Sequence, residues 1–590
     1  MPTAIVTGQP VPGSSLENDL RALGFEVSTA ADSADTQALL AAVPADRRVA
    51  VVDARFVGHP HALRLGLTDP RFPLAAIPGA VTAQPAGRQA LTSALAREAA
   101  AGGGTDLAVD GLVTALDADV HRPELGSLVA AVPTDPQSRN EARQAVAAVD
   151  DEAVRLKSAV KSRDGFFTTF FISPYSRYIA RWCARRGLTP NQVTTASLLT
   201  ALIAAGCAAT GTRAGFVAAG VLLIASFVLD CTDGQLARYS LQYSTLGAWL
   251  DATFDRAKEY AYYAGLALGA ARGGGHDDVW ALALGAMILQ TCRHVVDFSF
   301  NEANHDATAN TSPTAALSDK LDSVGWTVWV RRMIVLPIGE RWALIAVLTA
   351  VTTPRITFYV LLVGCALAAA YTTAGRVLRS LTRKARRTDR AARALADLAD
   401  NGPLAGFVSR ALPAPLGHPL LVALAGVAVL TVSLFSGVTW APVAGAVVYA
   451  LASGQALARP LKGALDWLVP PLFRAAEYGT VLVLASKSGV NGTLPAAFGL
   501  VAAVAYHHYD TVYRIRGDAG APPAWLVRAV GGQEGRTLLV TVVAAALTAQ
   551  QFEVALTVLA VVVAGLVLVE SIRFWASAGA PAVHDEGEPA

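Results

Sequence analysis

Charge is what this chain has least of. Only 16% of its 590 residues are Asp, Glu, Lys or Arg, while 53% are hydrophobic; an ordinary soluble protein carries about 25% charged residues. Opposite charges nearly cancel, to a formal net of +2, so no broad basic field marks nucleic acid as a partner. Cysteine is scarce too. Cys183, Cys207, Cys231, Cys292 and Cys365 lie scattered, without a CxxC pair or a histidine at ligand spacing, which excludes a disulfide framework and a zinc site and leaves small buried hydrophobes. The opening Met1-Pro-Thr-Ala-Ile-Val-Thr-Gly8 lacks a basic segment followed by a long apolar core, so no cleaved signal peptide is expected.

Long apolar runs fill the deficit. Runs over 192–211, 215–232, 245–270, 278–299, 335–353 and 356–376 approach the roughly 20 residues that a helix needs to cross a bilayer. A second block offers 418–434, 438–457, 471–487, 493–509, 536–550 and 552–574. With the N-terminus inside, Arg177, Arg181, Arg185, Arg186, Arg238, Lys320, Arg331, Arg332 and the basic cluster 376–393 fall on the cytoplasmic side. Arg213, Arg272 and Arg355 fall outside. This bias predicts a multi-pass protein of the plasma membrane with its N-terminal segment cytoplasmic.

Against that background four aspartates stand out. Asp230-Cys-Thr-Asp233-Gly234-Gln-Leu-Ala237-Arg238 is followed, eight residues later, by Gly247-Ala-Trp-Leu-Asp251-Ala-Thr-Phe-Asp255. Asp230 and Asp233 stand three apart and Asp251 and Asp255 four apart, so each pair shares a helix face. Gly234 is expected to break the first helix or to admit a close backbone approach. The polar run to Thr245 then folds the second helix back, gathering four carboxylates at the cytoplasmic surface. Carboxylates beside hydrocarbon mark a site, and hard divalent cations with oxygen ligands relieve their repulsion. A two-metal site suits displacement at phosphorus. The plainer alternative is a set of helix-end acids paired with Arg238, Arg256 and Lys258.

The pattern Asp230-x2-Asp233-Gly234-x2-Ala237-Arg238-x8-Gly247-x3-Asp251-x3-Asp255 resembles, without gap or mismatch, the signature of the CDP-alcohol phosphotransferases. Lys161-Ser-Arg-Asp164-Gly165, Ser176-Arg177 and Leu188-Thr-Pro190-Asn191-Gln-Val-Thr194 resemble the entry segment of that family's inositol-phosphate branch. Between them, 166–186 reads as an amphipathic helix lying at the membrane surface. The resemblance implies Mg²⁺ or Mn²⁺, as two ions held by Asp230, Asp233, Asp251 and Asp255, with Asp255 also the general base. It implies that Asn191, Gly234, Arg238 and Gly247 hold a CDP-alcohol donor, and that an alcohol or polyol-phosphate acceptor displaces CMP. Arg256, Arg331 and Arg332 are the expected grip on that acceptor.

The fold expected is mainly α: a polytopic bundle of six helices over 161–380 and a second of about six over 418–576, behind a soluble α/β domain at 1–100. Strands and helices alternate in that domain, predicting a parallel sheet. In relatives of the inositol branch this position can hold a cytidylyltransferase. Here Gly8-Gln-Pro-Val-Pro-Gly13 lacks the cation and the donors of a triphosphate cradle, so the domain reads as degenerate or regulatory, with Asp53 either a metal ligand or a strand-end acid. Residues 101–160 read as linker and charged helix, 381–417 as a second linker, and 577–590 as a tail. Arg256-Ala-Lys-Glu259-Tyr260 and His294 are echoed by Arg474-Ala-Ala-Glu477-Tyr478 and His507, as in a decayed duplication. The second copy lacks the acidic cluster, which leaves packing, assembly into a homodimer or lipid entry as its role. A polytopic scaffold or transporter, or a nucleotide-sensing membrane protein, is the alternative to an enzyme.

Overall fold

A computed structural model describes residues 1–9, 11–101, 109–116, 119–161, 164–274, 278–305, 307, 329, 333–382, 385–412 and 417–577. The N-terminal domain is a five-stranded sheet in the order β2-β1-β3-β6-β5. Its strands are β1 (Thr3–Thr7), β2 (Glu26–Ala30), β3 (Val49–Asp53), β5 (Leu74–Ile77) and β6 (Ala80–Ala83). β1 pairs in parallel with β2 and β3. The expected all-parallel sheet is corrected at its far edge, where β6 runs antiparallel to β3 and to β5. The cause is local: only Pro78 and Gly79 separate β5 from β6, and so short a turn joins antiparallel strands alone. Apolar side chains cover both faces of the sheet, Ile5, Val49 and Val51 on one and Ala4, Ala50 and Val52 on the other.

Helices α1 (Leu16–Ala22), α2 (Ser33–Ala42), α3 (Pro60–Thr68), α4 (Arg88–Ala101) and α5 (Val109–Ala115) complete the domain. Part of the stretch expected as linker belongs to it. Val109 and Leu112 of α5 lie in the same core as Leu91 and Leu95, and β7 (Ala130–Ala131) pairs with β4 (Val57–Gly58). Helices α6 (Pro136–Ala147) and α7 (Asp151–Ser158) lead out, each started by an aspartate whose carboxylate accepts N–H bonds of the first turn.

The surface helix expected at 166–186 is α8 (Ser173–Arg185). Tyr175, Tyr178 and Trp182 point outward while Ser176, Ala180 and Cys183 are buried. Then come α9 (Pro190–Ala208), α10 (Arg213–Ser240), α11 (Thr245–Arg272), α12 (Asp278–Asn304), α13 (Ile338–Val351) and α14 (Pro354–Thr382). After α15 (Asp389–Leu398) and α16 (Pro403–Ala411), the second block holds α17 (Pro419–Leu434), α18 (Ala441–Ala456), α19 (Val469–Lys487) and α20 (Thr493–Arg516), then α21 (Ala524–Ala529), α22 (Gly532–Ala546) and α23 (Ala549–Ser577). Among the described residues five helical stretches are long and apolar enough to cross a membrane: Arg213–Ser240, Val279–Asn304, Pro354–Thr382, Asp466–Lys487 and Ala549–Ser577. The protein is thus a multi-pass membrane protein. α11 is as long as α10 but carries Asp251, Asp255, Arg256, Lys258 and Glu259, which makes it the polar spine of the first bundle.

Candidate active site and metal centre

The site forms where α10 turns back into α11. Of the two expectations for Gly234, a break or a close backbone approach, the break does not occur; the helix runs on to Ser240. It ends at Leu241, whose φ of +48° is left-handed, with Gln242 N donating to Ala237 O at 3.0 Å. Ser244 then caps α11 by accepting from Gly247 N at 3.0 Å. The last turns of α10 and the first turns of α11 face one cavity. Asp230, Asp233, Asp251 and Asp255 all line a cavity of about 320 Å³ there.

Three of the four converge most tightly. One carboxylate oxygen each from Asp230, Asp233 and Asp251 lies within 4.8 Å of the others. Asp233 is 3% exposed, and its Oδ2 is buried without a hydrogen-bond partner among the described residues. A buried carboxylate oxygen left unpaired is costly, and a divalent cation with oxygen ligands matches that donor set. The residues therefore fit the ion they were expected to hold.

Asp255 is placed differently. Its Oδ1 lies 2.9 Å from Nζ of Lys258, which also bonds Asp230 and donates to Ser197 Oγ at 3.2 Å. The Lys258 side chain is completely buried. Here the plainer expectation for Lys258 is met, since it pairs with two of the acids while the others stay together. Arg238 donates through Nε to Ala159 O at 2.6 Å, and Arg256 pairs with Glu259 at 3.0 Å.

The remaining expected donor-binding residues are gathered as well. Asn191, Gly234, Arg238 and Gly247 all line the cavity with Lys161 and Asp164. Asn191 is set in place by the start of α9, where Thr189 and Gln192 form a reciprocal capping box around Pro190. A Cβ on Gly247 would stand 2.7 Å from Asn191 Oδ1, closer than real side chains approach, so glycine keeps that wall open.

Arg331 and Arg332 lie outside the described residues. Two arginines that the sequence reading did not assign lie beyond Asp255 instead. Arg341 of α13 ion-pairs with Glu259 at 3.1 Å, sharing it with Arg256. Arg293 of α12 is 6% exposed, and its Nε and Nη1 have no hydrogen-bond partner among the described residues. Their signal in the sequence was a cation inside an apolar run. In the N-terminal domain Asp53 is already engaged, accepting from Arg55 N, Nε and Nη2 at 2.8 to 3.1 Å, which is the strand-end arrangement.

Comparison with known proteins now adds to the geometry. A family model described as CDP-alcohol phosphatidyltransferase matches residues 187–370. Over that stretch the chain is similar to that family. A second model, a family of unknown function (DUF5941), matches residues 389–590. The chain is 32% identical over 114 residues to a "Bifunctional IPC transferase and DIPP synthase" of Aquifex aeolicus, covering 19% of this chain and 26% of the relative. It is 34% identical over 131 residues to a "Phosphatidylinositol phosphate synthase" of Streptomyces avermitilis, covering 21% and 51%. An "Archaetidylinositol phosphate synthase" of Pyrococcus horikoshii is 35% identical over 91 residues, covering 15% and 47%. The chain thus spans about half, or less, of the length of these relatives, whose names belong to the inositol-phosphate branch that the entry segment resembles.

Proposed function

We propose that the protein is a membrane transferase that moves a substituted phosphate from a CDP-alcohol to a phosphorylated alcohol and releases CMP. The observation that carries this reading is the convergence of Asp230, Asp233 and Asp251 in a cavity at the α10–α11 turn. These residues would hold Mg²⁺ or Mn²⁺, which supplies charge neutralisation at a diphosphate. The second of the two expected ions would draw on Asp255 and Asp230, beside Lys258. Arg238 and the backbone at Gly234 and Gly247 would grip the donor, since a guanidinium fork suits phosphate oxygens. Asp255 would take the proton of the acceptor hydroxyl. The acceptor oxygen forms its bond to the β-phosphorus as the bond to the CMP oxygen breaks, leaving a phosphodiester.

An anionic acceptor is supported by charge. Arg256 and Arg341 share Glu259, one helical turn beyond Asp255, and Arg293 lies near Arg341 and Asp297. Buried guanidinium nitrogens without partners favour a phosphate, and the names of the relatives point the same way. The active site would face the cytoplasm, with the protein in the plasma membrane.

The second block reads as a decayed copy of the first. Its helices repeat the pairings of the first bundle: α17 with α18, α18 with α22 and α20 with α23 follow α9 with α10, α10 with α13 and α12 with α14. Arg474 and Arg536 share Glu477 as Arg256 and Arg341 share Glu259. In the second copy Asp400 supplies a further carboxylate, 2.9 Å from Arg474 and 2.7 Å from Arg536, so that cluster is filled from within. A packing role follows.

The test is release of CMP by the purified full-length protein in bilayer discs, dependent on Mg²⁺ or Mn²⁺. CDP-diacylglycerol and CDP-inositol serve as donors, and inositol phosphate and glycerol phosphate as acceptors. Asp255→Asn should abolish turnover while sparing donor binding. No CMP from any pairing, or full activity in that variant, defeats the reading or the role of Asp255 respectively.

A further inference from the structure

The N-terminal domain sends one side chain into the membrane bundle's cavity. Arg71, on the loop between α3 and β5, lines it together with Asn191, Gly234, Arg238 and Asp251. We infer that Arg71 is a specificity-determining residue for the nucleotide end of the donor, and that the N-terminal domain forms one wall of that pocket. This inference rests on the proposed CDP-alcohol reading.

Arg71 is held in a fixed pose. Asp69 Oδ1 accepts from its backbone N at 3.0 Å and from Nε at 3.1 Å, and Asp69 Oδ2 accepts from Nη2 at 2.9 Å. Its guanidinium carbon lies 3.9 Å from the ring centre of Tyr243, on the turn joining α10 to α11. The loop itself is anchored, because Arg48 Nη2 donates to Asp69 O at 2.8 Å. A guanidinium held at both its carboxylate edge and its face loses little freedom when it binds, which is how preorganised recognition gains affinity.

The domain is also keyed to the helix that carries the first two aspartates. Arg155 of α7 donates to Tyr239 O at 3.0 Å and lies over the Tyr239 ring at 3.7 Å. The Tyr239 hydroxyl donates back to Glu152, at 3.0 Å. Arg71 is therefore positioned relative to Asp230 and Asp233 through two independent contacts, at Tyr239 and at Tyr243.

Geometry selects which part of the donor Arg71 meets. The lipid-like or polyol tail of a CDP-alcohol departs toward the bundle, and the diphosphate belongs with the aspartates. The wall contributed by the domain outside the membrane faces the remaining, water-soluble part, the nucleotide. Arg256, Arg293 and Arg341, proposed to meet the acceptor, are not among the residues lining this cavity.

The experiment measures CMP binding to the full-length protein in detergent with Mg²⁺, by calorimetry, beside donor and acceptor KM. Arg71→Ala should weaken CMP and raise the donor KM by about tenfold, the loss of one charge-assisted contact. The acceptor KM should stay unchanged, and Arg71→Lys should recover part of the affinity. Unchanged melting temperatures show that the domain stays docked. If wild-type protein binds CMP and Arg71→Ala binds it equally well, the inference is overturned while the transferase reading stands. If wild-type protein does not bind CMP at all, the transferase reading itself falls.

Discussion

Lys258 is the residue on which the charge balance of the first bundle turns. A completely buried ammonium is tolerable only when paired, and it has Asp230 and Asp255 as partners. Lys258→Met would leave two facing carboxylates uncompensated. We expect a loss of about 3–5 kcal/mol in stability, read as a lowered melting temperature in detergent. Because a cation that binds only the folded state stabilises it, added Mn²⁺ should raise the melting temperature of this variant more than that of wild type. An equal response would mean that Lys258 and the divalent ion do not share ligands. The pairing was legible in part, since Lys258 stands three residues after Asp255 and the two share a helix face. That Asp230 joins them from another helix was not, because nothing local links α9, α10 and α11.

Among single elements, α3 of the N-terminal domain carries a titrating group of its own. His61 is 5% exposed, and neither ring nitrogen has a hydrogen-bond partner among the described residues. Burial pushes its pKa down from 6.5 to about 3, and the cations Arg155 and Arg64 push the same way. The unfolded chain takes up this proton near pH 6.5 while the folded one does not. Its contribution is therefore present above that pH and lost as pH falls toward 3. The stability of the domain should decline over this range by a few kcal/mol, and His61→Phe should flatten the decline, as followed by tryptic cleavage within 1–160 against pH. A profile identical to that of wild type would remove His61 from the effect. The element itself was missed, because its buried stripe of Ala62, Leu63, Gly66 and Leu67 spans barely two turns; the strands around it, Ala4-Ile-Val and Val49-Ala-Val-Val, were plain from composition. The antiparallel edge β5–β6 also went unread, since a two-residue turn decides strand direction and the alternation of elements does not.

At the scale of the whole molecule, two helical blocks share one plan but differ in charge. α12 packs against both α19 and α20, and α11 against α20 and α23, so the second block supports the helices that carry the site. Within it Asp400 balances Arg474 and Arg536 and accepts from His507 at 3.4 Å. Asp400→Asn should cost about 3–5 kcal/mol, as unpairing buried charges does. We expect a lower melting temperature with kcat and both KM values unchanged in the protein that remains folded. A specific change in acceptor KM would instead make the second block part of the catalytic machinery.

The sequence by itself determined the membrane class, the aspartate cluster, the cavity-lining Asn191, Gly234, Arg238 and Gly247, and the resemblance to a family, because each rests on spacing within one helix or across one turn. Helical periodicity and the expense of charge in hydrocarbon act over short stretches and leave their mark in the order of residues. Tertiary structure alone decided that Lys258 bridges Asp230 and Asp255, that Arg293 and Arg341 gather behind Asp255, and that Arg71 reaches the cavity from another domain. Those pairings join segments far apart in the chain, and their partners are selected by packing, which no local pattern encodes.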